Sequence, residues 1–196
     1  IGYHGNKQHL SAMKDVSWAL DELAREYSIE FWAIYNIEKL GKWRINIPKL
    51  CKIRHIQWSE ESVVSELQKC DIGIVPSIIS TSGLFSRPLS SFIFNPKGYH
   101  SNDYIQRFKF SNNPGRMYVF SQLGIPVITD FTPSACQIIK DRESGMLVGT
   151  KEGWLEALRL FTKNTELRKK CALNLEQTIN TISPDSMFSE FISIIR

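Results

Sequence analysis

The sequence predicts an α/β domain, a parallel sheet with helices on both faces. Three observations carry that prediction. Short apolar runs alternate with amphipathic helical patterns five or six times along the chain. The runs are short and bounded, as buried parallel strands are. Helix-start signals recur at Ser59, at Asn113-Pro114 and at Thr132-Pro133.

Taken in order, residues 1–3 read as the end of a strand. From His9 to Tyr27, apolar side chains at Leu10, Met13, Val16, Leu20, Leu23 and Tyr27 step by threes and fours, which predicts one helix with a buried face. Residues 29–35 are β-branched and aromatic and predict a strand, as do residues 53–58. Ser59 then caps a helix that starts with Glu60-Glu61, acids where the helix dipole favours them, and ends near Cys70. Trp58 and Val63 could staple its start. Residues 71–76 predict a short buried strand. Residues 78–108 mix Ser, Gly, Pro and Asn with aromatics without a period, which suits a functional or mobile connection. A helix follows from Asn113-Pro114 to Gly124, then a strand at residues 126–129 and a short helix opened by Thr132-Pro133. Residues 144–148 give a turn and a last strand. Helical patterns near residues 152–162, 166–181 and 184–195 close the chain, the last two divided by Ser183-Pro184. The whole reads as one Rossmann-like domain over residues 1–196. Its ligands are expected beyond the carboxyl ends of the strands.

Composition narrows the function. The chain has 196 residues, 42% hydrophobic and 22% charged, the balance of a globular domain. No apolar run approaches the roughly 20 residues of a membrane span. Cys51, Cys70, Cys136 and Cys171 are unevenly spaced, form no CxxC pair and are not clustered with the His residues. They read as free thiols of a reducing compartment and point to neither zinc nor a disulfide scaffold. Ile1-Gly2-Tyr3-His4-Gly5 reads as a strand running into a glycine turn, so a longer, two-domain protein is expected. The net charge is +4, with a concentration of cations from Glu38 to Arg54: Lys39, Lys42, Arg44, Lys49, Lys52 and Arg54. Such a segment suits a solvated loop, an anionic membrane surface, an acidic glycan or a nucleic acid.

The stretch from Lys109 to Asp130 holds the chemistry. Asn113 suits an N-cap, Pro114 the first helical position, and Gly115 a close backbone approach. Arg116 then falls in the first turn, where the helix dipole makes a cation cost a few tenths to about 1 kcal/mol. A bound anion reverses that sign: free N–H groups face it and the guanidinium grips two oxygens, with each charged hydrogen bond worth about 1.5–3 kcal/mol. With Lys109 upstream, this is the pattern of a phosphate or diphosphate site. Asp130 and Thr132 follow the next strand, where Thr132 caps and Asp130 could order a sugar or ribose hydroxyl.

Three segments resemble one family. Cys70-Asp71-Ile72-Gly73-Ile74-Val75-Pro76-Ser77 looks like a strand running into a Pro-Ser turn. Leu123-Gly124-Ile125-Pro126-Val127-Ile128 looks like a Gly-x-Pro-Val-x segment, and Asp141-Arg142-Glu143-Ser144-Gly145-Met146-Leu147-Val148 like an acidic-Gly-x-Leu-Val turn. In this order they resemble glycosyltransferases of the GT-B fold, in particular the family-4-like group, across residues 60–175. The resemblance implies the C-terminal, nucleotide-sugar-binding half of the fold, facing an N-terminal domain across a cleft. It implies that a turn after the first strand, here His4-Gly5-Asn6-Lys7, approaches the donor, with Lys7 on the diphosphate. The family's two glutamates would fall at Ser111 and Val119, and neither is acidic. Lys109, Asn112, Asn113 and Arg116 stand there instead, a variant in which basic residues replace the acidic pair.

The expectation is therefore a glycosyltransferase domain in polysaccharide or glycoconjugate biosynthesis. Its diphosphate ligands would be Lys7, Lys109, Asn112, Asn113 and Arg116, with sugar or ribose contacts from His4, Gly5, Asp130 and Thr132. Its partners would be a nucleoside-diphosphate sugar, an acceptor glycan or lipid-linked glycan, and the N-terminal domain of the same protein. No cofactor or metal is implied, and no catalytic residue is assigned. The expected location is cytoplasmic, with peripheral membrane association left open. The alternatives are a non-catalytic sugar- or phosphate-binding module, a sugar-nucleotide epimerase and, last, a nucleic-acid-binding domain on the basic segment.

Overall fold

The computed structural model describes residues 1–10, 13–77 and 114–182. Six parallel strands form one sheet: β1 (Gly2–His4), β2 (Glu30–Tyr35), β3 (Lys52–Gln57), β4 (Gly73–Val75), β5 (Val127–Asp130) and β6 (Met146–Val148), in the order β3-β2-β1-β4-β5-β6. The helices are α1 (Lys7–Leu10), α2 (Lys14–Glu26), α3 (Ile37–Leu40), α4 (Val63–Leu67), α5 (Gly115–Gln122), α6 (Pro133–Cys136), α7 (Lys151–Lys163) and α8 (Thr165–Thr181). The fold class read from the sequence is correct.

The two-residue period of a strand divides the core. Phe31, Ala33 and Tyr35 of β2, Ile74 of β4 and Ile128 of β5 point to one face, where α2 and α7 supply Leu20, Leu23, Leu158 and Phe161. Ile34, Val75 and Val127 point to the other, against Met117 and Phe120 of α5 and Leu175 and Ile179 of α8. All but a few of these side chains are fully buried. The sheet is covered on both faces, which a parallel sheet of apolar strands requires.

Local signals set the ends. Thr132 accepts from Ala135 N (3.3 Å) and Pro133 opens α6, as expected. Thr150 and Asn164 cap α7 and α8 through the N–H groups of Gly153 and Leu167. At the end of α5, Gly124 has φ 66°, Ile125 N donates to Phe120 O and Gly124 N to Ser121 O, which is a Schellman closure.

Three boundaries differ from expectation. The helix read from His9 to Tyr27 is two helices: Met13 caps the second, and both Leu10 and Met13 are fully buried at the break. The helix expected from Ser59 starts only at Val63, because Ser59 Oγ takes the N–H of Ser62 and holds a turn first. At α5 the cap position is Pro114, whose carbonyl accepts from Met117 N (2.7 Å). Asn113 lies outside the described residues, as do Lys109, Asn112, Ser111, the segment 78–108 and the helix expected at 184–195. The four cysteines are free: Cys51, Cys70 and Cys171 are buried, whereas Cys136 is exposed.

One close approach seats α5. A Cβ on Gly73 would lie 2.6 Å from the Phe120 ring. Gly73→Ala is therefore expected to lower stability by about 1–3 kcal/mol in urea unfolding. In the Phe120→Leu background the same substitution should cost less, because the obstructing ring is gone.

Candidate functional site

The strand order reverses between β1 and β4. From β1 the chain moves outward to β2 and β3; it then returns to β4 on the opposite side and moves on to β5 and β6. At such a switch point the loops leaving the two strands part, and a crevice opens beyond their carboxyl ends. Here those ends are His4-Gly5 and Pro76-Ser77.

Arg116 reaches into this crevice from the first turn of α5. Its Nη2 donates to the carbonyl of Pro76 (3.3 Å), and its guanidinium carbon lies 5.7 Å from the centre of the Tyr3 ring. Its Nη1 is buried and has no hydrogen-bond partner among the described residues. Burial pulls its pKa below the ordinary arginine value, but a guanidinium stays protonated. A cation enclosed on one side without a matched partner there is unfavourable. Asp130 is the carboxylate that acts on its charge, yet both of its oxygens are in use: Oδ2 accepts from Ser77 N and Oδ1 from Trp154 Nε1 (3.0 Å). An anion in the crevice would supply what Arg116 lacks.

The loop after β1 is shaped around that guanidinium. Gly5 has φ 141°, its N–H donates to Ile34 O (3.1 Å), and a Cβ there would meet Tyr3 Oη at 3.0 Å and Arg116 Cδ at 3.3 Å. Only glycine fits both the angle and the space. Tyr3 Oη donates to Asn6 O (2.8 Å), and burial pushes its pKa up to about 12, so it is a neutral donor. His4 packs edge-on against Phe120, with ring centres 5.0 Å apart, and its Nε2 is buried without a partner among the described residues. Burial, and secondarily the charge of Arg116, push its pKa down to about 4, so it is neutral at pH 7.

The expected site residues thus separate into groups. His4, Gly5 and Arg116 come together at the switch point. Lys7 turns to the β2 side, where its Nζ donates to Leu40 O at the end of α3. Asp130 is 6% exposed and ties the turn after β4 to α7. Thr132 caps α6. Lys109, Asn112 and Asn113 are outside the described residues. Tyr3, Pro76 and Trp154 were not anticipated as site residues; Tyr3 and Trp154 have the spacing of ordinary core, and only the Pro-Ser turn after β4 marked the place. A cavity of about 30 Å³ lies beside Pro76, Asp130, Thr150 and Trp154. Among the described residues no cluster of His, Cys, Asp and Glu could hold a metal ion.

The depressed His4 pKa makes a pH prediction. The unfolded chain binds the His4 proton below about pH 6.5, and the folded chain only near pH 4. Stability is present in full above pH 6.5 and falls as pH drops toward 4. His4→Gln should flatten this part of a urea-midpoint profile; a parallel profile in the two proteins would refute the assignment.

No protein-family model matches the chain, and no curated protein matches it in sequence. Solved structures do. A mutant of S. aureus TarM, in complex with fondaparinux, alpha-GlcNAc-glycerol and UDP, superposes with a TM-score of 0.64 at 9% identity, over 98% of this chain and 34% of that one. A glycosyltransferase from Rickettsia africae gives 0.61 at 15% identity, over 98% and 46%. The C-terminal domain of the Francisella tularensis glycosyl transferase group 1 protein LpcC gives 0.56 at 13% identity, over 92% of this chain and 83% of that domain. The chain therefore spans less than half of the first two proteins. With its six parallel strands and two-sided helical cover, it has the Rossmann-like fold of a GT-B glycosyltransferase domain.

Proposed function

We propose that this chain is the donor-binding domain of a glycosyltransferase that takes a nucleoside-diphosphate sugar and transfers the sugar to an acceptor hydroxyl of a glycan or lipid-linked glycan. The observation that supports this most is the Arg116 guanidinium. It is half-buried in the switch-point crevice, and its enclosed Nη1 lacks a partner among the described residues. The UDP complexes of TarM and of the pneumococcal O-GlcNAc transferase GtfA, which superposes at TM-score 0.54 and 11% identity, are in keeping with it.

In this reading the donor diphosphate lies against the first turn of α5. Arg116 neutralises the charge that develops on the leaving diphosphate as the glycosidic bond breaks, which lowers the barrier because the guanidinium is already oriented and desolvated. Tyr3 beneath it and Gly5 beside it keep it there. Lys109, Asn112 and Asn113 precede that turn in sequence and would add contacts. Lys7 would have to leave Leu40 to join them. The neutral His4, with Gly5, would face the sugar or ribose, while Asp130 and Thr132 shape the loop after β5. The acceptor site and catalytic base would come from an N-terminal domain across the cleft, in a cytoplasmic enzyme that works at or near a membrane.

Calorimetric titration with UDP, GDP and their sugars tests this reading. Binding of one nucleotide is expected, and Arg116→Ala should weaken it by roughly 10- to 150-fold, the equivalent of one charged hydrogen bond. The same substitution removes a half-buried, poorly matched cation, so the unfolding midpoint should stay level or rise. No heat from any of these nucleotides, in a longer protein that carries both domains, would rule the proposal out.

A further inference from the structure

Residues 41–51, between α3 and β3, are firmly held from within. Trp43 is fully buried, with its backbone N–H donating to Tyr35 Oη (2.8 Å) and its indole N–H to Ile45 O. Ser17 Oγ donates to Asn46 O. The Asp21 carboxylate accepts the backbone N–H groups of Lys49, Leu50 and Cys51 at 2.7–3.0 Å. Asn46 takes a left-handed φ of 55° to complete the bend.

The outer surface of this segment has a contrasting composition. Lys39, Lys42, Arg44 and Lys49 are exposed, with Glu38 as the single acid of the segment. The neighbouring cations Lys52 and Arg54 are engaged with Glu30. Among the free cations, Ile45 and Leu50 are 63% and 53% exposed. A well-anchored loop thus holds two large aliphatic side chains in water, where burial would be favourable. A nucleic acid would use the cations and gain nothing from the aliphatics, and the indole that could stack on a base is buried. Aliphatic side chains ringed by Lys and Arg match an anionic lipid interface, whose headgroups attract the cations and whose acyl boundary accepts the apolar tips.

We propose that residues 39–50 dock this domain on an anionic lipid bilayer, with Ile45 and Leu50 inserted at the acyl boundary and Lys39, Lys42, Arg44 and Lys49 on lipid phosphates. The loop precedes β3, the edge strand two places from β1. The proposal extends the membrane-proximal setting given above and is independent of donor binding, which the nucleotide titration measures separately.

Co-sedimentation with vesicles tests it. The chain should bind phosphatidylcholine vesicles that contain phosphatidylglycerol and ignore pure phosphatidylcholine, with binding reduced in high salt. Ile45→Ser/Leu50→Ser should lower partitioning roughly tenfold with an unchanged circular dichroism spectrum. Lys42→Gln/Arg44→Gln/Lys49→Gln should abolish it. In a separate Ile45→Trp variant, the emission that remains after subtraction of the parent protein's five tryptophans should shift to the blue on anionic vesicles. Equal binding to both vesicle types, no binding to either, full binding by the folded serine variant, or retention of oligonucleotides in place of vesicles would each overturn the proposal.

Discussion

The Phe120 ring lies close against Gly73, and the candidate site depends on that contact. It brings α5 within touching distance of β4, closer than any side chain at position 73 would allow. Arg116 is four residues earlier in the same helix and therefore on the same face, one turn nearer the carboxyl edge of the sheet. A helix seated on the strand thereby delivers a guanidinium just past the strand ends. His4 packs on the same Phe120 ring from β1, so one aromatic side chain fixes both strands that border the crevice.

The electrostatics follow from that placement. A guanidinium with one nitrogen enclosed needs its charge matched, and Asp130 contributes at a distance while its own oxygens hold Ser77 and Trp154. The second ionisable side chain at the strand ends, His4, is held neutral by burial and by Arg116. Among the described side chains at the switch point, Arg116 is therefore the cation and Asp130 the anion, and the anion's oxygens are already taken by Ser77 and Trp154. Lys7, the basic residue nearest in sequence, spends its ammonium on the end of α3.

The fold was legible because its signals are local. Alternating apolar runs, Thr132-Pro133, and the glycine that closes α5 at Gly124 each act within a few residues, and each behaves as read. The cap at Met13 and the delayed start of α4 were not legible, since they depend on which side chains find room in the core and on a serine competing for a backbone N–H. At the site, Arg116 stood out as a cation in a first helical turn, a local oddity. The environment that gives it meaning did not: the approach to the Tyr3 ring, the carbonyl of Pro76 and the hold of Asp130 on Ser77 each join residues 40 or more positions apart in sequence. Asp130 illustrates the difference: its place at a strand end was legible, whereas the hydrogen bonds by which it ties the turn after β4 to α7 were not.

The two ends of the sheet carry a consequence for self-association. An unpaired strand edge is a template on which another chain can add a strand. β6 offers only three residues for such pairing, and β3 is lined with Lys52 and Arg54, whose charges are tethered to Glu30 on the inner neighbour. A second β3 laid alongside would bring like charges together and strip water from them. The same cations that brace β3 internally thus oppose the pairing of a second β3 with it.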